Sequence, residues 1–241
     1  MMEEASQTVE RSFFMENKGM TFYLVRHGET YFNYYGRMQG WSNTPLTENG
    51  KEDVRRSGRG LADVKFDAIY TSDLSRTIET ANLILEENHA TEDKTLHSMS
   101  EFREVFFGSM EGMYGSEAYA KVAEHMGFES VKEMFRNTTI PERMNGFHDA
   151  DPDHYAEDFM TFWSRIEQGL LELVDRHRDT GETILLVAHG QTIRYMLQSL
   201  VAELEEPDNL LNASVCKVHY HSGKFHVERY NDVTHFKDAV K

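Results

Sequence analysis

Two histidines in this 241-residue chain each precede a glycine at the end of an apolar run: His27 in Arg26-His27-Gly28 and His189 in His189-Gly190. A His-Gly pair by itself is usually a turn, so the surrounding residues decide the reading. Arg26 adjoins His27, Thr30 and Asn33 follow within one loop, and Arg76 stands near the head of a later amphipathic segment. A dianionic phosphoryl group needs several cationic and hydrogen-bonding donors converging on it, and arginine offers them as a planar fork. A neutral imidazole among such groups is a nucleophile whose phosphorylated form the guanidiniums stabilise.

The elements that hold these residues follow from the hydrophobic period. TFYLV (21–25) is a short β-rich run ending in the charged RHGET, followed by an aromatic, glycine-punctuated loop over 31–45. Thr47 caps a helix reaching about Leu61, with Gly50, Val54, Ser57 and Leu61 on one face. DAIY (67–70) is a second strand, leading into an amphipathic helix with Leu74, Ile78, Ala81 and Leu85 at helical spacing. The middle is Met-rich, with helices expected over 117–126 and 130–135 and an irregular stretch, NTTIPERMNGFHDADPD, over 137–153. A long helix follows over about 154–178, with Phe162, Ile166, Leu170 and Leu173 inward. ETILLVAHG then repeats the opening pattern as a strand buried on both faces, with its own helix over 191–204. The C-terminal segment, SVCKVHY-HSGK-FHVERY, alternates around a Ser-Gly turn as a hairpin.

Strands alternating with helices give a three-layer α/β/α sandwich around a mainly parallel sheet, with a helical cap insertion at about 113–153. Residues 1–20 read as a tail and 21–241 as a single domain. Both His-Gly turns fall at strand carboxyl ends, where ligands bind in such sheets.

Composition narrows the function classes. Lys and Arg total 25 against 41 Asp and Glu, a net charge of −16, which argues against nucleic acid or an anionic membrane as partner. Hydrophobic residues make up 39%, enough for a core. The single cysteine, Cys216, permits no intrachain disulfide and suits a reducing compartment. No apolar run approaches the roughly 20 residues that span a bilayer, and the acidic N-terminus is no secretory signal. The chain therefore reads as a cytoplasmic globular protein whose partner is a small phosphorylated substrate.

LVRHGET (24–30) resembles the signature of the histidine phosphatase superfamily, the phosphoglycerate mutase-like proteins. The resemblance continues through Asn33, GRMQGWSNTPLTENG (36–50), TSDLSRTIETA (71–81) and VAHG (187–190), in the order the family uses. It covers about 21–112 and 159–200 and is weak over 113–158. It implies that His27 forms a phosphohistidine and that Arg26, Arg76 and His189 (as an imidazolium) hold the transferring group. Asn33, Gln39, Thr30 and Gly190 are the further phosphate-binding candidates, with no metal and no cofactor.

The leaving alkoxide needs a proton donor. In this family the acid lies in a Leu-x-Glu-x-x-x-Gly-x-x-Glu-Gly segment, which corresponds here to Phe102–Gly112 and points to Glu104. Glu101 and Glu111 read as solvated or structural. Mutases of the family carry Glu-Arg-His-Tyr-Gly around the acid, whereas this chain has Glu104-Val105-Phe106-Phe107-Gly108. That departure favours a phosphomonoesterase over a mutase, with a non-catalytic phosphate-binding protein as a third reading. Among the 12 histidines, His219, His221 and His226 fall on the hairpin, where a solvent-facing strand is a better reading than a metal clip.

Overall fold

A computed structural model describes residues 18–204 and 208–237. The tail expected over 1–20 falls mostly outside these residues, but Met20 is already the first residue of β1 and is buried. Six strands form one sheet: β1 (Met20–Arg26), β2 (Ala68–Thr71), β3 (Leu96–Ser98), β4 (Thr183–Ala188), β5 (Val215–His221) and β6 (Lys224–Asp232). Their order is β3-β2-β4-β1-β5-β6. The β2–β3, β2–β4 and β1–β4 pairs are parallel, whereas β5 runs antiparallel to both its neighbours.

Alternation along the strands divides the core. Val25, Ile69, Leu185 and Val187 face α2 (Glu48–Gly60) and α3 (Ser75–Glu87) in one apolar cluster. Phe22, Leu24, Tyr70, Ile184 and Leu186 belong to the other cluster, with α7 (Phe159–His177) and α8 (Gly190–Leu200). The three-layer α/β/α architecture is therefore present. β4 lies in the middle of the sheet and is fully buried from Ile184 to Ala188, as its unbroken apolar run requires.

The Thr47 cap falls where the sequence places it, whereas α7 starts at Phe159, later than the expected 154, because Asp158 caps it. Thr47 accepts from the Gly50 N–H at the head of α2, and Asp158 from Thr161 at the head of α7. Three other elements differ from expectation. The loop after β1 contains one helical turn, α1 (Tyr31–Tyr34), closed by a reciprocal cap between Thr30 and Asn33. β3, only three residues long, gave no period to read. The stretch read as irregular holds a full helix, α6 (Ile140–Ala150), whose signals are a Thr139–Glu142 capping box and a proline in its first turn. With α4 (Gly115–His125) and α5 (Val131–Asn137), it forms the inserted helical layer. Among the described residues, no helix is long and apolar enough to cross a membrane.

Candidate active site

Four parallel strands deliver the chemistry to one edge of the sheet. β1 ends at Arg26 and His27, β2 runs into Ser72 and α3, β3 leads to Glu104, and β4 ends at His189, the N-cap of α8. A cavity of about 450 Å3 opens there, lined by Arg26, Asn33, Arg37, Glu104, Tyr119 and Gln191 among others. That size suits a small ligand.

His27 is 3% exposed, and its Nδ1 lies 2.8 Å from the Gly28 carbonyl. Because a carbonyl only accepts, Nδ1 carries the proton and Nε2 keeps its lone pair. Burial, then the charges of Arg76 and Arg26, hold the His27 imidazole well below its ordinary value of 6.5, in the neutral form a nucleophile needs. The two imidazole rings lie edge to face with centroids 5.2 Å apart.

His189 is fully buried and differs from its expected state. Arg76 Nη2 donates to its Nδ1 at 3.0 Å, so the proton resides on Nε2, which donates to Ser72 Oγ at 2.8 Å. Ser72 Oγ in turn lies 2.9 Å from Thr77 Oγ1, which donates to the Leu74 carbonyl. Burial and the Arg76 charge push His189 well below 6.5. The imidazolium expected here is thus a neutral imidazole with both nitrogens engaged, because a buried ring beside a guanidinium gains nothing from a second positive charge.

Arg76, 1% exposed, is fixed by the carbonyls of Ser42 (2.8 Å) and Gly40 (2.6 Å) and by Asn43 Oδ1 (3.2 Å). Desolvation lowers its guanidinium to about 10. Arg26 donates to the Leu210 carbonyl, and burial lowers it while Glu104 opposes the shift. The Nε groups of both arginines are buried and unpaired among the described residues. Gly190 brings the α8 backbone against Arg26: a Cβ there would come within 3.1 Å of Arg26 Nε, a close contact that only glycine avoids.

Glu104 is 6% exposed and lines the cavity. Its Oε1 accepts from the N–H of Val105 (3.1 Å) and Thr192 (3.0 Å) and from Thr192 Oγ1 (3.0 Å); its Oε2 accepts from the Gln191 N–H (3.1 Å). The carboxylate therefore sits on the N-terminus of α8, where the helix dipole favours negative charge. Glu111 is structural, as read: it accepts from the N–H groups of Gly40, Trp41, Ser42 and Phe107, each at 3.2 Å.

The further candidates divide. Asn33 lines the cavity, its oxygen taken by the Thr30 N–H and by Asn212. Gln39 also lines it, but its side chain is committed to Thr30, Ser42 and Thr44. Thr30 is fully buried as the α1 cap, with its hydroxyl bound to Gln39 and Asn33, so its part is to shape the loop rather than meet a ligand. Sequence reasoning passed over Ser72, Asn212 and Tyr119. Ser72 stood within the quoted TSDLSRT run, but its tie to His189 spans 117 residues and has no sequence signature. On the hairpin, His219 Nε2 lies 2.6 Å from Glu228, a cross-strand carboxylate that linear spacing did not reveal.

A doubly wound sheet with two histidines, the buried Arg76 and the half-buried Arg26 at its carboxyl edge suits an α/β protein that handles phosphoryl groups. Residues 22–233 match the model of the histidine phosphatase superfamily (branch 1), and the chain belongs to that superfamily. It is 28% identical over 226 residues to a metal-independent phosphoserine phosphatase of Arabidopsis thaliana, covering 93% of this chain and 87% of that one. It is 31% identical over 182 residues to a 2,3-bisphosphoglycerate-dependent phosphoglycerate mutase of Brucella anthropi, covering 75% and 81%. Among solved structures, phosphoglycerate mutase from Bacillus anthracis str. Sterne superposes with a TM-score of 0.87 at 32% identity, covering 92% of this chain and 97% of that one. Members of the superfamily are phosphatases or mutases.

Proposed function

We propose that the protein is a phosphomonoesterase that works through a phosphohistidine on a small phosphorylated metabolite. The observation that carries this reading is His27, neutral, with Nε2 unprotonated and the charges of Arg76 and Arg26 nearby. In the first step His27 Nε2 attacks phosphorus, the P–O ester bond breaks, and protonated Glu104 gives its proton to the departing alkoxide. In the second step Glu104 takes a proton from water, hydroxide attacks phosphorus, and the P–N bond breaks to release phosphate and free His27. Arg26 and Arg76, with two unpaired Nε–H groups between them, stabilise the equatorial oxygens. His189, whose Nδ1 accepts from Arg76, holds that guanidinium in place. The arginines fill the role that a cation fills at other phosphoryl-transfer sites, so activity is expected to survive EDTA.

The two named relatives divide the substrate question. Val105 and Phe107 stand where the mutases of the family carry Arg and Tyr, and both are apolar and nearly fully buried. Phe107 packs on Phe147 of α6, ring centroids 5.5 Å apart. Neither can hold a glycerate carboxylate while the phosphoryl group changes position, which supports hydrolysis. The amide-rich wall (Asn33, Gln191, Asn209, Asn212) and Arg37 suit a small polar ester such as phosphoserine. Cytoplasmic action accords with the single cysteine.

The test supplies 3-phosphoglycerate with trace 2,3-bisphosphoglycerate, and phosphoserine in parallel, and follows 2-phosphoglycerate and free phosphate. Phosphate release from phosphoserine without isomerisation is the expected result. Efficient isomerisation with little phosphate released would establish the mutase instead.

A further inference from the structure

Beyond the catalytic cavity, the end of α6 and the turn after it gather His148, Asp149 and His154. One nitrogen from each ring and a carboxylate oxygen all lie within 4.8 Å of one another. None of the three lines the catalytic cavity. We propose that these residues bind a transition-metal dication of the imidazole-preferring kind, Zn2+ above all, and that the bound ion braces the loop supporting the Glu104 segment.

The tautomers are already set for this role. His148 Nδ1 lies 2.7 Å from the Ala156 carbonyl, and His154 Nδ1 lies 3.1 Å from the His148 carbonyl. Each Nδ1 therefore carries a proton, which leaves Nε2 as the nitrogen of each ring available to a metal. A second ring nitrogen bound to a backbone carbonyl is the usual support of a metal-binding histidine. The rings lie 5.1 Å apart, and His154 occupies the left-handed region at φ +53°. Two imidazoles and one carboxylate suit Zn2+, with water completing the shell. Asp149 and His154 are exposed, so an ion can enter and leave the site.

Its position gives it leverage. Asp151, two residues past Asp149, accepts from Ser109 Oγ (2.5 Å) and from the N–H groups of Tyr155 and Ala156. Glu157 exchanges backbone and side-chain hydrogen bonds with Phe106 and pairs with Arg165. Arg165 Nη2 then donates to the Glu104 carbonyl at 2.9 Å. An ion joining 148, 149 and 154 would add to the hydrogen bonds that already tie 148 to 154 and 156, in a loop held to 104–109 by the contacts above.

The test titrates metal-free full-length protein with ZnCl2 by calorimetry. One Zn2+ per chain is expected, with micromolar affinity. His148→Asn and His154→Asn each keep a donor near the Nδ1 position but remove the Nε2 ligand, and asparagine tolerates the left-handed backbone at 154. Each should weaken binding by at least ~10-fold while leaving the circular dichroism spectrum and p-nitrophenyl phosphate hydrolysis without metal unchanged. Zn2+ should also slow amide exchange over 151–157 in the wild type but not in the variants. Absence of Zn2+ binding below ~1 mM, unchanged affinity in both variants, or loss on His226→Asn instead would overturn the site. Binding without slowed exchange would overturn the bracing.

Discussion

At the carboxyl ends of β1, β2 and β4 the side chains are locked by polar contacts: Arg76 to two carbonyls, an amide and a ring, His189 at both nitrogens, and Glu104 to three backbone N–H groups. The inserted layer α4–α6 is held differently. Val122, Met134, Met144 and Phe147 are buried there among apolar neighbours, and Tyr119 carries this layer to the cavity wall beside Arg37 of the loop after α1. Arg37 donates to the Gly112 carbonyl at 2.6 Å and lies over the Tyr114 ring at 4.2 Å. Directional bonds fix atoms to a fraction of an ångström, whereas methionine-rich packing adapts to shape. The sheet edge is therefore held by directional bonds, and the inserted layer, which reaches the cavity through Tyr119, by adaptable apolar packing.

The largest effect should come from the sheet edge. His27→Ala should lower turnover of any phosphate ester by roughly 10⁴-fold or more and abolish the acid-labile phosphate seen by mass spectrometry after substrate mixing. Full activity in that variant would break the division at its root. Next, Glu104→Gln should cost roughly 10²–10⁴-fold on an alkyl phosphate but much less on p-nitrophenyl phosphate, whose leaving group needs little protonation. An equal loss on both would leave Glu104 only a structural part on the α8 terminus.

Acidification probes the same edge by a different route. His27 and His189 are held below 6.5 in the folded chain and regain that value on unfolding. Below pH 6.5 the unfolded chain takes up protons that the native state declines, so stability falls as pH drops and is unaffected by these groups above that value. A His189→Gln variant should show a shallower loss of Tm between pH 7 and 5. A slope equal to the wild type would mean that His189 titrates in the folded state as it does in the unfolded chain.

The smallest effect belongs to the inserted layer. Thr139→Ala removes the α6 capping box and should cost about 1 kcal/mol, or roughly 2–4 °C in Tm. It should leave p-nitrophenyl phosphate hydrolysis intact while shifting preference among bulkier esters. A matching loss on p-nitrophenyl phosphate would show that the two regions are not separable.

Residue types and spacing carried the strand-helix alternation, the cap at Thr47 and the candidates His27, Arg26, Arg76 and His189, while Glu104 came from the resemblance to the family's acid-bearing segment. These are legible because a strand end, a cap and a cationic cluster are local patterns. α6 was read as irregular because its mixed composition hid the period, although its capping box and Pro141 stood in the sequence. The roles of Thr30 and Gln39 and the neutral state of His189 are matters of partnership across the fold. Thr30 becomes a cap because Gln39 and Asn33 close on it, and His189 stays neutral because Arg76 and Ser72 take its two nitrogens. The sequence could name the donors and the nucleophile. Only the packed structure, by deciding which lone pair faces a guanidinium and which a hydroxyl, set their protonation.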